Sequence, residues 1–289
     1  MSIALPRKRR RKLKGEPIGL YIIITLMAIV VGLPLYLMVI NAFKPLEELL
    51  LFPPRYYVMN PTLENFSNLL LATNASLVPF SRYLFNSIFV ATTVVVVSVL
   101  TASMCAYPLA KSKAPGVNVI FQIILAALMF SPLVTAIPRF LIISGLRMID
   151  TYWALILPAV ASSFFTFFMR QFFEAQPSEI LDAGRIDGAG EWSLFWKLVM
   201  PLAKPAWATL TIMAWQSAWN DEFGPVMFTR SEAMKTLPLA IHTLYAGAGL
   251  ARMGAGAAAA LLTTAPSVII FVFLQKRVIA TMAHAGIKG

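Results

Sequence analysis

Residues 176–205 read QPSEILDAGRIDGAGEWSLFWKLVMPLAKP, the longest polar interruption in the second half of an otherwise apolar chain. Glu179, Asp182, Arg185, Asp187, Glu191, Lys197 and Lys204 lie within it, and Arg170 and Glu174 stand just before it. Charge-free runs flank it on both sides. It therefore reads as a loop between two membrane spans, yet its residues are patterned like structure. Pro177 and Ser178 open a helix over 179–187, with Ser178 as N-cap and Glu179 and Asp182 at its positive end. Gly188 is placed to end it. Ile180, Ala183, Gly184 and Asp187 share one face at helical spacing. Beyond Gly190, Trp192, Phe195, Trp196 and Val199 have helical spacing and are expected to pack against the ends of the spans, and Pro201 is expected to stop that second helix. Two readings stay open on pattern alone: an amphipathic surface hairpin, or an element that docks into a groove on another protein.

The rest of the chain supports the membrane setting. Of 289 residues, 58% are hydrophobic and 13% charged, and the mean hydropathy is +0.74; a soluble domain carries about 25% charged residues. Six runs lack Asp, Glu, Lys and Arg, between Glu16 and Lys44, Arg82 and Lys111, Lys113 and Arg139, Asp150 and Arg170, Lys204 and Asp221, and Arg252 and Lys276. A spanning helix needs about 20 apolar residues. The expectation is about six transmembrane helices, over 19–43, 84–109, 117–138, 152–169, 205–219 and 255–275; the fifth is short and needs its neighbours. The Val- and Thr-rich second run would suggest a strand in water, but within a bilayer so long a run is a helix. The segment 44–82 is the longest outside stretch, with a turn and short helix near Thr62. An uncharged piece at 237–250 has the composition to dip into the membrane, and the small residues at 246–260 allow close helix approach.

The net charge of +11 does not point to nucleic acid, because seven basic residues crowd positions 7–14, directly before the first span. That arm places the N-terminus in the cytoplasm and can meet anionic lipid. With alternation, inside segments hold 16 of the 24 Lys and Arg. The first run is too long for a signal-peptide core. Cys105 is the single cysteine, and His242 and His284 stand apart, so no disulfide or metal set is expected. Asn65-Phe66-Ser67 and Asn74-Ala75-Ser76 match a glycosylation pattern short enough to recur by chance. No ionisable residue lies mid-span, which disfavours ion-coupled carriers. No phosphate-binding loop and no catalytic constellation is present, so the chain reads as non-catalytic, without cofactors. If it transports, its energy comes from a partner.

The loop resembles the signature of permease subunits of binding-protein-dependent ABC importers, in particular the carbohydrate group typified by the second maltose permease subunit. That signature is E-A-A-x-x-x-G followed, about nine residues on, by I-x-L-P. Here Asp182-Ala183-Gly184-Arg185-Ile186-Asp187-Gly188 and Leu198-Val199-Met200-Pro201 occupy it, with Asp182 for Glu, Gly184 for the second Ala and Met200 for the last Leu. Asn86-Ser87, Asp150-Thr151-Tyr152, Ser217-Ala218-Trp219-Asn220-Asp221, Thr236-Leu237-Pro238 and Gly286-Ile287-Lys288-Gly289 also resemble that group. The resemblance implies an all-α membrane protein with a type I (MetI-like) permease core and a cytoplasmic coupling helix. It implies a division into a cytoplasmic basic arm (1–16), a first span (17–43), an extracytoplasmic segment (44–82), the permease domain (83–277, coupling loop 176–205) and a cytoplasmic tail (278–289). It implies a bacterial cell-membrane subunit that imports a sugar or oligosaccharide by alternating access. Its partners would be a second permease subunit, a cytoplasmic ATPase dimer, an extracytoplasmic solute-binding protein and the lipid bilayer. A non-sugar importer and a stand-alone carrier are the alternatives. The coupling residues carried over are Glu179, Asp182, Ala183, Gly184, Arg185, Asp187, Gly188 and Pro201, with Asp182 pairing with a basic residue of the ATPase. Gly184 weakens the helix by roughly 0.5–1 kcal/mol relative to Ala, so the helix would be firm only when docked. Trp215, Gln216, Trp219 and Asn220 are the candidate pathway residues, since sugars stack on aromatics and bond to amides; interface-belt Trp and a polar helix end are the alternative reading.

Overall fold

The computed structural model describes residues 18–74, 78–245 and 253–285. The basic arm, the Asn74-Ala75-Ser76 pattern beyond Asn74, the small-residue stretch up to 252 and the terminal Gly286-Ile287-Lys288-Gly289 lie outside the described residues. Among those described, every regular element is helical.

The first run forms α1, Ile18–Phe43, and its side chains are exposed along nearly its whole length. An all-round apolar helix of this kind belongs in lipid or against another membrane helix. The outside segment carries two helices, α2 (Leu46–Leu49) and α3 (Glu64–Asn74). The Thr62 hydroxyl accepts from the Glu64 N–H at 3.1 Å, at the start of the short helix expected near Thr62. Lys44 and Glu48 are buried here because the fold satisfies them. Lys44 Nζ donates to the Arg55 carbonyl at 2.5 Å, and Glu48 accepts from the N–H groups of Met59 and Asn60. Asn65 is also buried, and its amide donates to the carbonyls of Ala42 (3.0 Å) and Lys44 (2.7 Å). That amide is a bracket between α3 and the end of α1, with no freedom to accept a glycan.

The second run is α4, Phe80–Lys111, 32 residues and the central post of the fold. Ala91, Ala102, Ala106, Ser98 and Ser103 line its buried faces, where small side chains let neighbouring helices close in. The third run is not one span. It divides into α5 (Val117–Leu128) and α6 (Ala136–Gly145). Pro132 cannot donate to a helical ladder, and the Ser131 hydroxyl instead accepts from Leu133 N at 3.3 Å in a turn. The fourth run also breaks, into α7 (Tyr152–Val160) and α8 (Ser163–Glu174); Ser162 interrupts the ladder and caps α8 by accepting from Phe165 N. Together Tyr152–Glu174 remain long and apolar enough to cross a membrane, as do α1, α4 and Met253–Lys276 of α15 (Met253–Ala285).

The polar loop forms α9 (Glu179–Ile186), α10 (Glu191–Leu194), a π-helical turn (Phe195–Val199) and α11 (Met200–Leu202). Pro201 lies inside this second limb and does not stop it. The wider π turn, closed by Met200 N to Phe195 O, leaves room for a ring that would strike a regular helix. The fifth run is α12, Lys204–Trp219, 16 residues. It is followed by α13 (Phe223–Phe228), a 3₁₀ turn and α14 (Leu237–Tyr245). α4 packs against α7, α8 and α12, and α15 against α1, α3 and α12.

Candidate functional site

The loop is built from its second limb outward. Leu194, Phe195 and Val199 are buried with Leu181, Met169, Phe173 and Ala106 in one cluster, which roots both limbs in α4 and α8. Burying each large side chain is worth roughly 1.5–3 kcal/mol. Of the four aromatic and aliphatic residues expected to pack inward, Phe195 and Val199 do so; Trp192 and Trp196 are exposed. α9 lies on this limb through Leu181 and Gly184. A Cβ on Gly184 would stand 2.6 Å from Leu194 Cδ2 and 3.0 Å from Leu198 Cδ1, so the departure from Ala has a packing reason within the chain. Gly184 faces inward, whereas Ala183, Ile186 and Asp187 form the exposed ridge.

The ends of α9 are asymmetric. Ser178 sits in helical backbone conformation and its side chain caps nothing, unlike the expected N-cap. The C-terminus closes as a Schellman motif: Gly188 N donates to Arg185 O, and Ala189 N to Gly184 O, both at 3.0 Å. Gly188 has φ +82°, the left-handed conformation that glycine adopts without strain.

A chain of polar contacts ties α9 to the central post. Arg185 Nη1 meets Asp182 Oδ1 at 2.8 Å, and its Nε meets Glu191 Oε1 at 2.9 Å. The Tyr107 hydroxyl of α4 donates to Glu191 Oε2 at 2.7 Å. Hydrogen bonds from Arg185 and then Tyr107 hold the Glu191 carboxyl below its ordinary range. The same contact with Glu191 pushes the Arg185 guanidinium up. Asp182 is thus already paired within its own helix, though exposed to a second cation. Glu179, Asp187, Gly188 and Pro201 are exposed as well. Lys111 Nζ donates to the Gln176 carbonyl at 2.6 Å, and Arg170 Nε to the Leu109 carbonyl at 3.1 Å, so α4 is also fastened at the loop's root.

The expected pathway residues divide. Trp215 and Trp219 are buried and stack at 5.2 Å with 13° between ring planes, in a cluster with Tyr83, Leu237 and Ala240. Trp219 Nε1 donates to the Thr263 carbonyl at 2.7 Å. Both indoles lie inside the fold, where they join α12 to α4, α14 and α15. Gln216 lies on the exposed face of α12 and accepts at Oε1 from Nδ2 of Asn220, the exposed residue that caps the helix, at 2.8 Å.

The profile of a family described as binding-protein-dependent transport system inner membrane component matches residues 19–284. The chain belongs to this family. It is 33% identical over 269 residues to the arabinooligosaccharides transport system permease protein AraQ of Halalkalibacterium halodurans, covering 91% of this chain and 93% of that one. It is 30% identical to the sn-glycerol-3-phosphate transport system permease protein UgpE of Yersinia enterocolitica, covering 91% and 94%. The fold is similar to that in a crystal structure of a bacterial ABC transporter involved in the import of the acidic polysaccharide alginate (TM-score 0.77, 23% identity, 90% of this chain and 95% of that chain). The protein is therefore an all-α ABC importer permease subunit with a MetI-like fold, an inner membrane component of a multi-subunit system.

Several residues of this binding-protein-dependent permease had no role in the sequence reading, and motifs read separately turn out to meet. Asn86 Nδ2 donates to the carbonyls of Ala233 and Lys235, and its Oδ1 accepts from the Tyr152 hydroxyl at 2.7 Å. Ser87 Oγ accepts from Leu237 N at 2.7 Å. Asp150 Oδ1 accepts from Arg230 N, Ser231 N and Ser231 Oγ. Burial alone would raise the Asp150 carboxyl, but these donors hold it below its ordinary range. The three motifs are one clasp at the end of the bundle remote from the loop. Tyr107 and Glu191, 84 residues apart, carried no signal of their contact.

Proposed function

We propose that this chain is one of the two permease subunits of an ATP-driven importer for a sugar or oligosaccharide, and that the 176–205 loop is where a cytoplasmic ATPase dimer drives it. The observation that carries the coupling role is α9: a short helix with an exposed ridge, rooted in the bundle by buried side chains and by the Tyr107–Glu191–Arg185–Asp182 chain. A push on that ridge reaches α4, α8 and α12 through packed contacts. The names of the relatives support a carbohydrate. The boundaries at 16, 43, 82 and 277, cytoplasmic termini, a second permease subunit and an extracytoplasmic binding protein belong to the same proposal. On this reading the solute meets its site only when the ATPases close.

The test is reconstitution of the chain with its partner subunits in proteoliposomes. Uptake requires both ATP and the binding protein; uptake persisting without the ATPase would establish a stand-alone carrier instead. The glycerol-3-phosphate relative gives one specific alternative. Calorimetric titration of the binding protein with arabino-oligosaccharides, diacetylchitobiose, glycerol 3-phosphate and peptides separates it from a sugar importer.

A further inference from the structure

The segment 44–62 is built the opposite way round from a loop that lies in water. Its charges are inside: Lys44 and Glu48 are 2% and 7% exposed. Lys44 Nζ bonds to Asn41 Oδ1 and the Arg55 carbonyl, and the Glu48 carboxylate accepts from Met59 N at 3.2 Å and Asn60 N at 3.0 Å. Its apolar side chains are outside: Phe52 is 95% exposed, Tyr56 62% and Tyr57 57%, with Leu50, Leu51 and Met59 also exposed. Single exposed apolar residues are ordinary, but a cluster of them marks contact with a partner or a membrane.

The loop folds its tip back along α1. Its two ends meet, with Thr62 N donating to Phe43 O at 2.9 Å. The Tyr36 hydroxyl, two turns before the end of α1, donates to the Tyr56 carbonyl at 2.7 Å. α1 is long and apolar enough to cross a membrane. Its 26 residues extend about 39 Å, against a hydrocarbon layer of about 30 Å and about 40–45 Å with the headgroup regions. Tyr36 stands about 10 Å from the helix end, so the Tyr56 carbonyl is held near the depth where hydrocarbon gives way to headgroups. Leu33 and Val39, which share a face of α1 with Tyr36, are exposed as well, so an apolar surface continues from the span towards the tip.

The tip has the composition of that depth. Tyrosine, with an apolar ring and a polar end, concentrates at membrane interfaces. Arg55 donates from Nη1 to Met59 Sδ at 2.7 Å and makes no ion pair among the described residues, which leaves donors for a lipid phosphate. A protein partner would find few directional groups here, because Lys44 and Glu48 are spent inside the loop.

We propose that residues 50–59 are a preformed interfacial anchor, with Phe52, Tyr56 and Tyr57 seated between the headgroups and acyl chains of the leaflet at that end of α1. Asn65, bonded to the Ala42 and Lys44 carbonyls, and α2, packed on α15, tie the anchor to the bundle. It sets the height of α1 and α15 in the bilayer, whatever solute is carried.

The test uses the full chain in vesicles of phosphatidylethanolamine and phosphatidylglycerol, with its lone cysteine removed by Cys105→Ser. Bimane, a small bicyclic fluorophore, is attached at Phe52→Cys or, as a control, at Glu47→Cys on α2. Both residues are exposed, so labelling leaves the packing intact. A nitroxide at the headgroup end of the lipid acyl chain is expected to quench the label at 52 several-fold more than one at the terminal methyl. Aqueous iodide should reach the label at 47 several-fold better than the label at 52. Equal access of iodide to both positions, or stronger quenching from the methyl end, overturns the anchor. The measurement is repeated on the complex assembled with its partner subunits and binding protein. Lipid quenching that persists there supports the anchor; quenching lost on assembly assigns the tip to a protein interface and overturns it.

Discussion

Gly188 offers a test in which two explanations predict opposite orders. Its φ of +82° would strain any other residue, but a Cβ there meets nothing within 4 Å. Inside this chain a side chain at 188 therefore costs only backbone energy. That is about 1–2 kcal/mol for Ala and less for Asn or Asp, which enter the left-handed region more readily. If Gly188 matters only as the cap of α9, function should fall in the order Gly, then Asn and Asp, then Ala. If the bare backbone matters because another protein packs against it, bulk governs, and the order is Gly, then Ala, then Asn and Asp. We expect the second order, with Gly188→Asp abolishing ATP-driven uptake while the chain remains inserted and assembled. Uptake in proteoliposomes, normalised to inserted chain, supplies the ranking; hydrogen exchange across 179–189 reports the helix independently. Normal uptake in Gly188→Asp, or Ala ranking below Asn, would refute the docking role.

Further outcomes follow from the same contacts. Glu191 is held below its ordinary value of 4.5, so its stabilising contact is complete above that pH and is lost as pH falls through the lower folded value. Arg185→Gln releases Glu191 toward 4.5, and the acid opening of α9, followed by hydrogen exchange, moves to higher pH. Trp219→Ala empties a fully buried site and is expected to cost about 3–5 kcal/mol, seen as a lower unfolding temperature in detergent, whereas Gln216→Ala on the exposed face leaves that temperature unchanged. Gly254→Ala would place a Cβ 2.0 Å from Asn65 Oδ1, and Asn65 is clamped by two carbonyls; overpacking of about 1–3 kcal/mol should appear as earlier thermal unfolding of the purified chain.

The absence of charge made the apolar runs legible, and the Gly188 stop made α9 legible to within a residue. What escaped the reading was mostly orientation. In water, apolar periodicity tells which face of a helix is inside; in a bilayer both faces are apolar, so α12 did not announce that Trp215 and Trp219 point inward. The break at 161–162 has no proline of its own, only Pro158 upstream and a serine that caps the next helix. Gly184 read as a weak spot because propensity concerns the helix alone, whereas Leu194 decides what fits. Arg139 and Asp221 fall just beyond the expected spans 117–138 and 205–219, and sequence distance from a span says little once the span is shortened by a break.

Those breaks bear on how movement of the loop is passed on. α8 runs from Ser163, at the break, to Glu174, at the loop; α12 runs from Lys204, at the loop, to Trp219, at its far end. Each is a single helix with no interior proline beyond the first turn, so neither offers a kink that would absorb movement. The sites of bending lie at their far ends, where the backbone already leaves the ladder. Rotation of the loop as a unit would therefore move α8 and α12 while α7, fixed through the Tyr152–Asn86 contact, holds its place. The polar chain from Tyr107 to Asp182 adds α4 to the same lever. A bundle of unbroken spans would spread such a displacement over its whole length; helices that end short of the full span concentrate it at their far ends.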